Sequence, residues 1–281
     1  MDLSILLRSR SIFKILFLNN MISAKLYCGL GNRLFQMMAA IGEAERQNKQ
    51  PVFFLPRMSG AHHGNFELLK SLFSSVPIIE TAPEWEEVKE GQRPQSDKLV
   101  VLTGYFQNTD YFPKDDFYMP SLPLNSVTEK DSWAVHFRFG DYQKLHHYHV
   151  NLSPYYYYII TRKIPKYSNL ILFSDSPDRL LPIQKELTDL GYTVEIFDNP
   201  DTLETLKAFS ACVKGSICSN STFAWWAAWF TWRRKTQYKA YFPKQWIVGR
   251  ESFNLFNLPF TQSVNLEEIP ASPRLLSFSH S

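Results

Sequence analysis

A chain of 281 residues with 44% hydrophobic and 15% aromatic content has the apolar material of a folded protein and none of the compositional signature of disorder. A formal charge of +3 without blocks of like charge gives no nucleic-acid footprint, and three cysteines (Cys28, Cys212, Cys218) without C-x-x-C spacing give neither a disulfide framework nor a zinc cluster. The length suits two modest domains or one large α/β unit.

The apolar run Ile12–Leu18 follows Arg8 and Arg10, but Lys14 interrupts it and Asn19–Asn20 end it. It falls short of the about 20 apolar residues that a bilayer requires. No later stretch spans either, so residues 1–22 read as a tail, with Met21 as an alternative start, and no transmembrane segment is expected. The cysteine usage fits a reducing, cytoplasmic compartment, with contact to a membrane surface left open.

Ala24–Cys28 reads as a short strand, followed by a turn at Gly29-Leu30-Gly31-Asn32. Leu34, Phe35, Met37, Met38, Ile41 and Ala44 recur at helical spacing, and Val52–Leu55 reads as a second strand. This β-α-β opening implies a parallel sheet. Residues 60–98 carry no clear pattern; Leu99–Leu102 is a further strand leading into Gly104-Tyr105-Phe106-Gln107. The Pro-rich Met119–Leu124 reads as a linker.

Beyond it, a strand at 133–138 precedes a helix opened by Ser153-Pro154 and running to about Ile164. Leu170–Phe173 is a buried-type strand, and a helix spans Asp178–Leu190, stopped by Gly191. Then follow a strand at Tyr192–Phe197, a helix at about 201–211, a strand at Gly215–Ser219 and a helix at about Ser221–Thr231. Arg233-Arg234-Lys235 reads as a solvated helix end. Repeated β-α-β units in both halves imply an α/β protein of two Rossmann-like domains facing across a cleft, with boundaries at 23–124 and 125–265 and a C-terminal tail at 266–281.

Ligands of open parallel sheets sit beyond the carboxyl ends of the strands. Three polar clusters fall there: His136/Arg138/Asp141, Ser174/Asp175 and Ser219/Asn220/Ser221/Thr222. Strand alternation puts His136 and Arg138 on one face, with Val135 and Phe137 anchoring the other. A guanidinium matches phosphate oxygens two at a time, although a strand-end Arg also commonly points to water. Ser219–Thr222 opens a helix and is an anion site or a plain N-cap. Ser174-Asp175 is an acceptor for base or ribose, or a plain β-α turn. Gly29-Leu30-Gly31-Asn32 is half a dinucleotide fingerprint with Leu34 where the third Gly belongs, so the NAD pattern is incomplete, and no P-loop lysine follows.

Taken together, these segments resemble the α-1,2-fucosyltransferases of glycosyltransferase family 11. Gly29–Gln36 is similar to the family's G-L-G-N-Q-x-F-Q, and Gly104–Gln107 with Tyr111-Phe112 to G-Y-[FW]-Q-x(3)-Y-F. His136–Tyr142 resembles H-x-R-R-G-D-Y, Leu152–Tyr156 the helix after it, and Phe173–Asp175 the F-S-D block. Ser219–Trp229 resembles S-N-S-[ST]-F-[SA]-W-W-[AG]-A-W, the most specific match. The resemblance spans about residues 26–246.

It implies a glycosyltransferase B architecture, with the acceptor on the first domain and GDP-fucose on the second. It further implies inverting transfer of L-fucose to a sugar hydroxyl, foremost the 2-OH of a galactose-terminated glycan, with no cofactor and no metal. Arg138 and the helix start at Ser221-Thr222 would stabilise the departing diphosphate, in keeping with the lack of a D-x-D motif beside the donor cluster. His136, Ser174, Asp175, Ser219 and Asn220 would hold the donor, with Gly31 and Asn32 reaching it from the other domain. Asp141 is the candidate base, or else orients Arg138. Phe139 stands where the family has a second Arg, which leaves open a different linkage, a different nucleotide sugar, or a lapsed GDP-sugar- or glycan-binding protein. The His-rich Lys144–His149 reads as an acceptor loop or a metal site, and Asn151-Leu152-Ser153 is a formal glycosylation acceptor.

Overall fold

The computed structural model describes residues 20–57, 66–82, 84–94, 98–123, 127–140, 150, 152–249 and 255–269. The chain forms two units, Met1–Ser121 and Leu122–Ser281. Each carries a parallel sheet with helices between its strands, so the fold class is α/β.

In the first unit the elements run β1 (Met21–Ala24), α1 (Leu30–Gln47), β2 (Gln50–Pro51), β3 (Phe53–Phe54), α2 (Phe66–Leu72), β4 (Ile78–Ile79), β5 (Trp85–Lys89) and β6 (Leu99–Thr103). The main sheet has the order β2-β1-β6-β5, parallel throughout; β3 and β4 form a separate parallel pair. The strand expected at Ala24–Cys28 lies three residues earlier, which also draws residues 21 and 22 out of the expected tail. Past Ala24 the Leu26 amide turns from the sheet to the Arg57 carbonyl (3.1 Å), and Cys28 then takes a left-handed backbone (φ 63°) just ahead of α1. Gly29 becomes the N-cap, so Leu30-Gly31-Asn32 form the first helical turn rather than a free turn. The apolar stripe of α1 is buried as its spacing requires. Gly42 sits where a Cβ would run into the Tyr111 carbonyl oxygen, so only glycine lets that loop close on the helix. The strand expected at Val52–Leu55 takes two partners: Gln50–Pro51 and the Val52 amide (2.9 Å to the Ile22 carbonyl) run along β1 at the sheet edge, where Pro51 is tolerated, whereas Phe53–Phe54 pair with β4.

The second unit runs β7 (Ser132–Phe137), α3 (Ser153–Lys163), β8 (Asn169–Ser174), α4 (Leu181–Asp189), β9 (Thr193–Ile196), α5 (Thr202–Ala211), β10 (Gly215–Ile217), α6 (Thr222–Arg234), β11 (Ala240–Pro243) and β12 (Thr261–Val264). The sheet order is β12-β11-β10-β7-β8-β9, all parallel. From one edge to the other the chain reverses direction of travel between β7 and β10, the pattern of a doubly wound sheet. One face packs Val135, Phe137 and Leu172 against Tyr155, Ile159 and Ile160 of α3 and Ile183 and Leu187 of α4. On the other, Phe173 touches Phe209 of α5 and His136 touches Phe223 of α6.

Three expected elements differ in the structure. The helix expected from Asp178 opens as a 3-10 turn (Pro177–Leu180) and becomes α-helical at Leu181. Leu152 rather than Ser153 is the N-cap of α3. Residues Leu266–Glu268, expected in the tail, form a 3-10 turn, and Leu266 and Ile269 pack on the core. Arg234 and Lys235 at the end of α6 both pair with Glu129, at 3.3 and 2.8 Å. Of the cysteines, Cys28 is exposed, whereas Cys212 and Cys218 are buried and their thiols are pushed up to about 12, chiefly by burial. Among the described residues no helix is long and apolar enough to cross a membrane.

Candidate functional site

In a doubly wound sheet the chain leaves the two central strands, here β7 and β10, in opposite directions, which opens a crevice at their carboxyl ends. The two ends are tied together there by a buried hydrogen bond of 2.8 Å between His136 Nδ1 and Ser219 Oγ. Helix α3 positions both from below. Tyr156 donates its hydroxyl to the His136 carbonyl (2.6 Å), and Tyr155 donates to the Cys218 carbonyl (3.1 Å). Both tyrosines lie in the family-like segment Leu152–Tyr156, but the sequence gives them no role at the site.

Arg138 emerges one residue past β7, and β8 is in register beside it, Phe137 opposite Ser174. Asp175 Oδ2 meets Arg138 Nη1 at 3.0 Å, while Asp175 Oδ1 accepts the Phe139 amide at 2.9 Å. One carboxylate thus orients the guanidinium and the backbone that carries it. Ser174 Oγ accepts the Ser176 amide at 3.0 Å, which shapes the turn. A Cβ on Gly140 would collide with Asp175 Oδ2, so the glycine after Phe139 is what admits this carboxylate. Phe139 lies parallel on the buried Phe137 (6.0 Å between centroids, 8° between planes), and the Arg179 guanidinium covers its ring at 4.8 Å.

The third cluster starts α6. Ser221 is the N-cap, and no side chain caps the helix, in contrast to α5, where Asp201 accepts the Glu204 amide at 2.9 Å. Its first-turn amides and its positive dipole end therefore face the crevice without a side-chain cap of their own. Asn220 donates Nδ2 to the Trp246 carbonyl at 3.0 Å in a buried bond that fixes the approach to the helix. Behind it, Ala224–Thr231 are buried, which holds the helix start rigid.

His136, Arg138, Ser174, Asp175 and Ser219–Thr222 thus share one sheet edge. Gly31 and Asn32 belong to the first unit. Gly31 is buried in α1, and Asn32 Oδ1 accepts Gln107 Nε2 at 2.8 Å. Asp141, residues 144–149 and Asn151 lie outside the described residues.

Burial lowers the His136 pKa to about 4, with Asp175 opposing and Arg138 adding to the fall. The imidazole is therefore neutral near pH 7 and serves as a hydrogen-bonding group. Below the ordinary value of 6.5 the unfolded chain takes up a proton that the folded chain refuses. Stability is complete above about pH 6.5 and is lost as pH falls toward about 4, on the order of 3 kcal/mol for the full shift. Urea denaturation across that window should show a shallower acid loss in His136→Gln than in the unaltered protein; equal slopes would remove His136 as the source.

No family model matches this chain, and no curated protein matches it. Among solved structures it is similar to the fucosyltransferase NodZ from Bradyrhizobium. The selenomethionine crystal form gives a TM-score of 0.45 at 12% identity over 74% of this chain and 91% of that one. A second crystal structure of NodZ gives 0.43 at 12% identity, over 74% and 92%.

Proposed function

We propose that the protein is an inverting glycosyltransferase that moves L-fucose from GDP-fucose to a sugar hydroxyl, foremost the 2-OH of a galactose-terminated glycan. The observation that carries this reading is the convergence of an oriented guanidinium, a neutral buried imidazole and an uncapped helix start at the switch point of a doubly wound sheet. Such an edge suits a nucleoside diphosphate, and the motifs resembling the α-1,2-fucosyltransferases supply the sugar and the linkage. As the glycosidic bond breaks, charge builds on the β-phosphate of GDP. Arg138 and the amides of α6 receive that charge, the part a divalent ion plays in other transferases. His136 and Ser219 present polar atoms to the nucleotide, and Asp175 acts through Arg138.

The test is a donor-by-acceptor screen with mass-spectrometric detection, using GDP-fucose, GDP-mannose and UDP-sugars. The expected product is a galactose-terminated glycan heavier by one fucose. Transfer from a UDP-sugar alone would overturn the donor assignment. Phe139 in place of a second cation motivates one rival, a GDP-sugar-binding protein without turnover. Slow hydrolysis of GDP-fucose in the absence of acceptor would exclude it.

A further inference from the structure

Arg179 stands in the 3-10 turn between β8 and α4, outside every motif of the site. Its guanidinium lies over the Phe139 ring, and among the described residues it forms no ion pair and no hydrogen bond. Arg138, by contrast, already has a carboxylate against it. The Phe139 ring cannot easily turn aside, because it is stacked on the buried Phe137 and its amide is bonded to Asp175. A guanidinium seated on an aromatic face keeps its N–H groups pointing outward in its own plane, free to grip paired oxygens. The ring also holds the long side chain in place, so less conformational freedom is lost when an anion arrives.

We propose that Arg179, held on Phe139, is a second guanidinium contact to the diphosphate of the donor nucleotide. The aromatic residue in the strand-end motif is then a platform for a cation supplied by the next β-α connection, and it replaces a charge in kind rather than deleting it. This inference rests on the donor reading above.

Calorimetric titration of the full chain with two probes, GDP and guanosine, separates the possibilities. Arg179→Gln is expected to weaken GDP about tenfold or more and to leave guanosine unchanged, since only the charged arm of the ligand is affected. Phe139→Leu, which keeps the cation and removes its seat, should fall between that variant and the unaltered protein. If Arg179→Gln binds GDP as tightly as the unaltered protein, the inference is overturned and the donor reading stands. If it loses guanosine as much as GDP, Arg179 merely shapes the turn, and the inference is again overturned. If the unaltered protein binds no GDP, both fall together.

Discussion

Exchanging Arg138 for Lys is expected to cut turnover in the proposed fucosyl transfer by about a hundredfold or more, with the folded state intact. Lysine keeps the charge and can still reach Asp175, so ion pairing alone predicts a mild effect. What it lacks is a second edge. In the structure one side of the guanidinium is committed to Asp175 Oδ2 at 3.0 Å, and that carboxylate is itself anchored by the Phe139 amide. That pairing fixes the plane of the fork, which a freely rotating ammonium cannot reproduce. The measurements are kcat for transfer and thermal melting of both proteins. Turnover near that of the unaltered protein would take Arg138 out of the mechanism, whereas a collapsed melting transition would mean that the residue holds the fold.

The second large effect falls on stability. Trp225→Ala should destabilise the second unit by about 3–5 kcal/mol, the range for emptying a large buried aromatic site. Trp225 is fully buried, packs on Trp226 and Phe260 at 5.1 and 5.6 Å, and donates Nε1 to the Leu255 carbonyl at 3.0 Å. Removing it opens a cavity and strands a buried carbonyl as well. Arg233→Ala, at an exposed position where the guanidinium lies over Trp229 at 5.5 Å, is the contrast and should cost clearly less, about 1 kcal/mol. Equal urea midpoints for the two variants would show that the α6 aromatics do not carry the stability of this unit.

Trp225 and its neighbours illustrate how far periodicity reaches. A helix apolar on every side has to be buried, and a strand carrying His136 and Arg138 at spacing two has to present them together. The second unit was correspondingly legible in the sequence, apart from β11 and β12. Those two gave little signal: β12 is an edge strand with exposed Gln262 and Ser263, and no apolar alternation marks it. In the first unit the boundaries follow long-range pairing that no local pattern encodes: the Leu26 amide turns to the Arg57 carbonyl, and Phe53–Phe54 turn from β1 to β4. At the site, residue types pointed to strand ends that the fold brings together, but not to their pairing. Nothing in the spacing between Arg138 and Asp175 says that the carboxylate grips the guanidinium, because β8 comes alongside only through the register of the folded sheet. Arg179 was invisible for the same reason.

The contrast among the three thiols has a practical corollary. Cys212 and Cys218 are sealed in the second unit and hold their protons to about 12, whereas Cys28 is open at the left-handed turn before α1. A maleimide dye at neutral pH should therefore attach once, at Cys28, and tryptic mapping would reveal any second adduct. The molecule thus comes with a single natural handle for fluorescence, placed in the same unit as Asn32 and needing no prior removal of other cysteines.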